Sequence, residues 1–174
     1  MHLILIGLRG SGKTTAGRVT AGLLSRPFVD LDDVTESICG MTAQTCFETK
    51  GEAAWRAAES TALERTLAST IPSVIALGGG TPTAPGAIDR LETEREAGRI
   101  RIIRLHAPAD DLVARIADDS GRPPLTTLDP LDEMTAMEAS RGPVLARLAT
   151  TTIDTSDRSI EQVAEAIVRE SKVE

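Results

Sequence analysis

The feature that most constrains this chain stands at its start, where HLILI runs into GLRGSGKTT. His2–Ile6 is a short apolar run ended by Gly7 and reads as a buried parallel strand; from Lys13 to Ser25 the apolar positions Ala16, Val19 and Leu23 recur at helical spacing. Between them Gly7–Thr14 satisfies GxxxxGK[ST] in the strand-loop-helix context that the pattern requires. Glycines let successive backbone N–H groups turn inward, the helix N-terminus adds positive potential, Lys13 reaches terminal phosphates, and Thr14 offers a hydroxyl to Mg2+. Gly10, Ser11, Gly12, Lys13, Thr14 and Thr15 are therefore the expected nucleotide-binding residues, with Thr14 also a metal ligand. Arg9 reads as a solvated side chain. A phosphate loop implies a nucleotide but not a reaction: a small-molecule kinase, an NTPase and a regulatory nucleotide-binding module all remain open.

The rest of the chain alternates in the same rhythm. Strands are expected at Pro27–Asp30, Val74–Leu77, Ile100–Leu105 and Thr151–Asp154. Helices are expected from about Asp32, at Gly51–Ser69, Ala87–Ala97, Pro108–Asp118 and Leu131–Leu148, and from about Ser159 to the end. Such alternation predicts a three-layer α/β/α domain, a parallel sheet joined by right-handed crossovers and covered by helices on both faces. Ligands then bind beyond the carboxyl ends of the strands. The segment DDSGRPPLTTLDP, residues 118–130, carries one glycine and three prolines and reads as an excursion from that rhythm. With 174 residues and no repeat or linker, residues 1–174 read as one domain.

Composition narrows the partners. A formal charge of -7 argues against a general nucleic-acid binder, which needs a basic field, so an anionic ligand must be held by a few placed cations. Cys39 and Cys46 lack metal-ligand spacing and read as reduced packing thiols; His2 and His106 read as structural. No apolar run approaches the ~20 residues of a membrane span. A cytoplasmic protein without a membrane partner is expected.

Three further groups have chemistry to offer. In VDLDDVTE, Asp30 and Asp32 fall at the end of the second expected strand, where one could serve a metal shell and the other a substrate hydroxyl; both could equally be a helix cap and a first-turn charge. Arg56 and Glu59 in WRAAES are three apart on one helix, either an exposed ion pair or an oriented clamp for a carboxylate. In VIALGGG the glycines Gly78, Gly79 and Gly80 follow a short apolar strand and mark either a flexible connection or a place where backbone must come close to a ligand. Arg122 lies in the proline-rich excursion, suited to arrive over a phosphoryl group on closure, or simply solvated. Arg141 lies near the end of a helix.

Taken in order, GLRGSGKTT, the D-x-D of VDLDDVTE, the run CFETKGEAAWRAAES, the strand and triplet of VIALGGG, the GRPPL segment and SRGPVL resemble the shikimate kinase family nearly end to end. The resemblance implies a P-loop kinase fold of strand order 2-3-1-4-5 with a lid at about residues 118–130, ATP and Mg2+ as cofactors, and shikimate as the small-molecule substrate of a monomer. It further implies that Asp32 meets the substrate hydroxyls and that Asp30 supports Mg2+ through water. Arg56 and Arg141 would hold the substrate carboxylate, with Glu59 positioning Arg56, and Gly78–Gly80 would admit the substrate ring. Lys13 and Arg122 would act on the phosphates, Phe47 and Trp55 would wall the pocket, and Arg115 and the loop from Thr155 to Arg158 would lie near the adenine. The chain departs from the family pattern in having Val144 and Leu145 after Pro143 where an aromatic is usual, Trp55 where phenylalanine is commoner, and a second proline in GRPPL. A gluconate kinase shares the loop and the lid and is the nearest alternative.

Overall fold

Five short strands form one all-parallel sheet in the computed structural model, which describes residues 1–117 and 129–172. They are β1 (His2–Ile6), β2 (Phe28–Asp30), β3 (Val74–Ala76), β4 (Ile100–His106) and β5 (Thr151–Asp154), in the order β2-β3-β1-β4-β5. The helices between them are α1 (Lys13–Leu24), α2 (Leu31–Cys39), α3 (Ala43–Lys50), α4 (Glu52–Leu67), α5 (Ala87–Glu96), α6 (Ala109–Ala117), α7 (Pro130–Leu148) and α8 (Ile160–Glu170). Fold class and strand order are those the resemblance implies. Residues 118–128, which carry Arg122 and most of the expected lid, lie outside the described residues.

The central strand shows why a parallel sheet reads as a continuous apolar run: all five residues of β1 are buried because both faces are covered. Side chains alternate between two cores. Ile4 and Ile6 face a core with Ile75, Ile102, Leu63, Leu91, Leu145 and Leu148, drawn in part from α4, α5 and α7. Leu3 and Leu5 face Ile103, Ile153, Ala16, Val163 and Ile167, under α1 and α8. Burying each Leu or Ile is worth about 1.5–3 kcal/mol. His2 is structural as expected: its Nε2 donates to the Ser69 carbonyl at 2.9 Å and its Nδ1 accepts from the Ser73 N–H at 3.2 Å.

Strand register positions the site. Asp30 of β2 is level with Ala76 of β3, and Ala76 is level with Leu5 of β1. The residues that leave these strands next are the start of α2, the glycine triplet and the phosphate loop, so three segments distant in sequence emerge side by side at one edge.

As expected, Asp30 closes β2 and Asp32 lies in the first turn of α2. One element differs from the sequence expectation: a separate helix, α3, lies between α2 and α4, and the Thr42 hydroxyl caps it by accepting from the Thr45 N–H. Its sequence AQTCFETK buries only Cys46 and so offers no apolar stripe to read.

Candidate active site

The phosphate loop has the backbone its glycines allow. Gly10 and Gly12 sit at φ 81° and 88°, in the left-handed region that a Cβ disfavours. Helix α1 begins at Lys13 with no side-chain cap from Gly12, which leaves its first N–H groups for an anion. Ser11 Oγ is shut off from solvent and has no hydrogen-bond partner among the described residues. Lys13 Nζ donates to the loop's own carbonyls, Gly7 O at 3.0 Å and Leu8 O at 2.9 Å, so its charge is held at the rim of the cradle. Thr15 is exposed at the next-but-one helical position, and Arg9, expected to be solvated, is half-buried. An uncapped helix end, an orphaned buried hydroxyl and a placed ammonium fit a polyphosphate.

Asp30 takes the capping role open to it from sequence and also meets the phosphate loop. Its Oδ1 caps α2 by accepting the Asp32 N–H at 3.1 Å, while its Oδ2 accepts the Thr14 hydroxyl at 2.8 Å. A hydroxyl and a carboxylate are hard oxygen donors. No group of three or more His, Cys, Asp or Glu that could hold a metal ion occurs among the described residues. That donor set fits Mg2+, which takes one or two protein oxygens and fills its octahedron with water and phosphate.

The glycine triplet makes room for side chains. A Cβ on Gly78 would overlap Asp32 Oδ1 and lie 2.9 Å from Thr81 Oγ1, and one on Gly80 would overlap Arg56 Nη1. The expectation that a Cβ there would take the substrate's space is therefore corrected: at Gly78 and Gly80 the space is filled by Asp32 and Arg56. Only at Gly79 are the nearest atoms at ordinary contact distance, Arg9 N at 3.6 Å and Gly7 O at 3.8 Å, which brings the triplet against the phosphate loop.

Arg56 and Glu59 form a built pair and not a surface one. Glu59 is 1% exposed, accepts from Arg56 Nη1 at 2.6 Å, and accepts from the Thr81 hydroxyl at 2.8 Å. Glu52, one turn earlier and exposed, accepts from Arg56 Nη2 at 3.0 Å and Nε at 3.2 Å. Burial pulls the Arg56 guanidinium down, yet Glu59 and then Glu52 more than offset it and leave it above its ordinary value. Arg141 of α7 reaches the same place, with Nη1 donating to Gly79 O at 3.3 Å. It is held below its ordinary value by burial first and by the like charge of Arg56 second. Two half-buried guanidiniums that repel one another make a seat for an anion. Thr81 and Glu52 were not singled out from sequence. A hydroxyl directly after three glycines and an acid four residues before Arg56 are the signals that could have found them.

At the flanks, the ring of Phe47 on α3 lies 5.7 Å from that of Trp55 on α4, the residue before Arg56, and Trp55 is buried. Arg115 of α6 donates to Thr155 Oγ1 at 2.9 Å and to Thr155 O at 2.8 Å, so it is joined to the expected adenine loop, in which Arg158 stands exposed.

The sequence profile of the family described as Shikimate kinase matches residues 9–172. A shikimate kinase of Thermobifida fusca (strain YX) is 36% identical over 167 residues, 96% of this chain and 92% of that protein. A solved structure of shikimate kinase from Acinetobacter baumannii in complex with shikimate superposes with a TM-score of 0.87 at 29% identity, covering 99% of this chain and 95% of that one. A gluconokinase of Sinorhizobium meliloti 1021 shares the fold at a TM-score of 0.58 and 20% identity, with 98% and 91% covered. With the family model matching residues 9–172 and a relative 36% identical over nearly the whole of both chains, the phosphate loop, D-x-D and glycine triplet that meet at one sheet edge are those of a chain that belongs to the shikimate kinase family.

Proposed function

We propose that the protein transfers the γ-phosphoryl group of ATP to the 3-hydroxyl of shikimate, giving ADP and shikimate 3-phosphate for aromatic amino acid biosynthesis. The observation that carries this reading is the pairing of Arg56 and Arg141 over the glycine triplet, which itself lies against the phosphate loop through Gly79. An acceptor with one carboxylate and ring hydroxyls fits that pair, with the rings of Phe47 and Trp55 on the helices beside it.

MgATP supplies the transferable group and part of the charge neutralisation. The chain's own residues do the rest by position and charge. Arg56 and Arg141 hold the carboxylate and so fix which hydroxyl reaches Asp32, whose carboxylate orients that hydroxyl and accepts its proton. Lys13 would swing from its loop carbonyls to the phosphates, and Arg122 would join it there. Thr14 would hold the metal, with support from Asp30, which accepts the Thr14 hydroxyl. Arg115 fixes the loop of Thr155–Arg158, against which the adenine rests. On this reading the protein works as a monomeric cytoplasmic enzyme with no nucleic-acid or membrane partner; its acidic charge supports the lack of a nucleic-acid partner, and no helix among the described residues is long and apolar enough to cross a membrane.

The test is ADP release by purified protein with MgATP and shikimate, with gluconate as control. Shikimate-dependent turnover that disappears in Asp32→Ala is expected. Nucleotide binding without turnover on shikimate would overturn the reading.

A further inference from the structure

One oxygen of Glu52, Oε1, accepts from both Nε and Nη2 of Arg56, the donor edge that a carboxylate with both oxygens engaged would grip more strongly. The two carboxylates on Arg56 are not alike. Glu59 is buried and fixed by Thr81, whereas the Glu52 side chain is 66% exposed against 19% for Arg56, so Glu52 is the partner able to leave. Its charge also reaches Arg141, where it offsets the repulsion from Arg56. An exposed carboxylate that hydrogen-bonds one arginine of the seat and offsets part of the repulsion felt by the other has the chemistry of the ligand expected there.

We propose that Glu52 is an internal stand-in for the substrate carboxylate: it occupies the Arg56 edge in the empty enzyme and must swing out to solvent when the acceptor binds. It is a specificity-determining residue rather than a catalytic one. By keeping the two guanidiniums compensated while the site is empty, it sets an electrostatic threshold that a neutral polyol cannot cross and a carboxylate can. The inference rests on the reading of Arg56 and Arg141 as the carboxylate seat.

A stand-in and an orienting residue predict opposite signs. If Glu52 only steadied Arg56, as Glu59 does, its loss would raise the KM for the acceptor. If it competes for Arg56, its loss lowers that KM. Glu52→Gln keeps the length, the hydrogen-bonding oxygen and the helix propensity while removing the charge. An i,i+4 ion pair is weak, so the KM for shikimate should fall about two- to fivefold, with kcat and the KM for ATP unchanged. Trp55, the one tryptophan in the chain, adjoins Arg56 and supplies a second readout: titration of its emission with shikimate should give a Kd tightened by the same factor. Glu161→Gln, on the exposed first turn of α8, removes an equal charge far from the seat and should leave both constants alone. Arg56→Ala should weaken shikimate whether or not Glu52→Gln is also present, and should abolish the difference that Glu52→Gln makes.

An unchanged or raised KM and Kd in Glu52→Gln, with Arg56→Ala still weakening shikimate, overturns the stand-in and leaves the functional reading intact. A matching gain in Glu161→Gln overturns it too, since net charge would then explain the effect. Failure of the parent protein to bind shikimate at all overturns the reading of the seat and this inference with it.

Discussion

At the scale of single residues, the glycine triplet divides the site's work in a way that can be measured. A Cβ at Gly78 meets the end of Asp32, and one at Gly80 meets the end of Arg56, both the far ends of flexible side chains. At Gly80 the three nearest atoms all belong to Arg56, whereas at Gly78 the buried Thr81 hydroxyl at 2.9 Å and Glu59 carboxylate at 3.2 Å are pressed as well, so neither change leaves the site its geometry. Gly78→Ala should therefore lower kcat at least about tenfold by displacing Asp32. Gly80→Ala should mainly raise the KM for shikimate, by a similar factor, through Arg56. Steady-state kinetics with thermal melts check both, and equal effects of the two changes on both constants would refute the division. Lys13→Ala should reduce kcat by about 10²-fold or more, because its ammonium is the charge placed to neutralise the phosphoryl oxygens as transfer proceeds.

At the scale of elements, α7 carries Arg141 and is pinned to the sheet by an ion pair that no pattern announced. Arg104 of β4, 8% exposed, bonds Glu138 of α7, one turn before Arg141, and also meets His106 Nδ1 at 3.3 Å. Glu138→Ala leaves a buried guanidinium without its carboxylate, which costs about 1–3 kcal/mol. For a chain of this size that is a fall in Tm of roughly 3–10 °C. The KM for shikimate should rise with it as α7 loosens, while the double change Arg104→Met with Glu138→Met should recover most of the Tm. The departure at Val144 and Leu145 is absorbed in the same helix: Leu145 is buried in the core and Val144 packs against it, so the usual aromatic's place is taken by aliphatic packing.

For the whole molecule, pH dependence follows from two carboxylates. Bidentate hydrogen bonds from Arg99 hold Glu94 below its ordinary value of 4.5, against burial and with help from Arg90. The Ser156 N–H holds Asp154 below 3.8. A depressed folded-state pKa means stability that is fully present above the unfolded value and lost as pH falls through the folded one. Tm should therefore be flat from about pH 8 to about 5 and fall steeply below about 4.5; a maximum in Tm near pH 4 would contradict this. Saturation with MgATP at about 100 times its Kd should add about 2.7 kcal/mol, or roughly 5–10 °C in Tm, measurable by calorimetry.

Much of this protein was legible in its sequence because the determinants are local. The loop Gly7–Thr14 needs glycines, a lysine and a hydroxyl at fixed spacing, so its position before α1 could be read directly. Alternating strands and helices set the layered class, and the succession of motifs set the family. What the sequence left open were pairings between segments far apart in the chain. Whether Arg56–Glu59 was a surface pair or a clamp depended on Thr81 closing over Glu59, 22 residues away. The partner of the Gly78 and Gly80 positions was decided by the register that sets β2, β3 and β1 side by side, since only then do Asp32 and Arg56 fill the missing Cβ positions. Helix α3 escaped because, with Cys46 alone buried, its place is held by packing and a Thr42 cap rather than by an apolar stripe. Spacing along a chain can specify chemistry within one loop; contact between loops exists only after burial of the sheet has fixed which strand ends are neighbours.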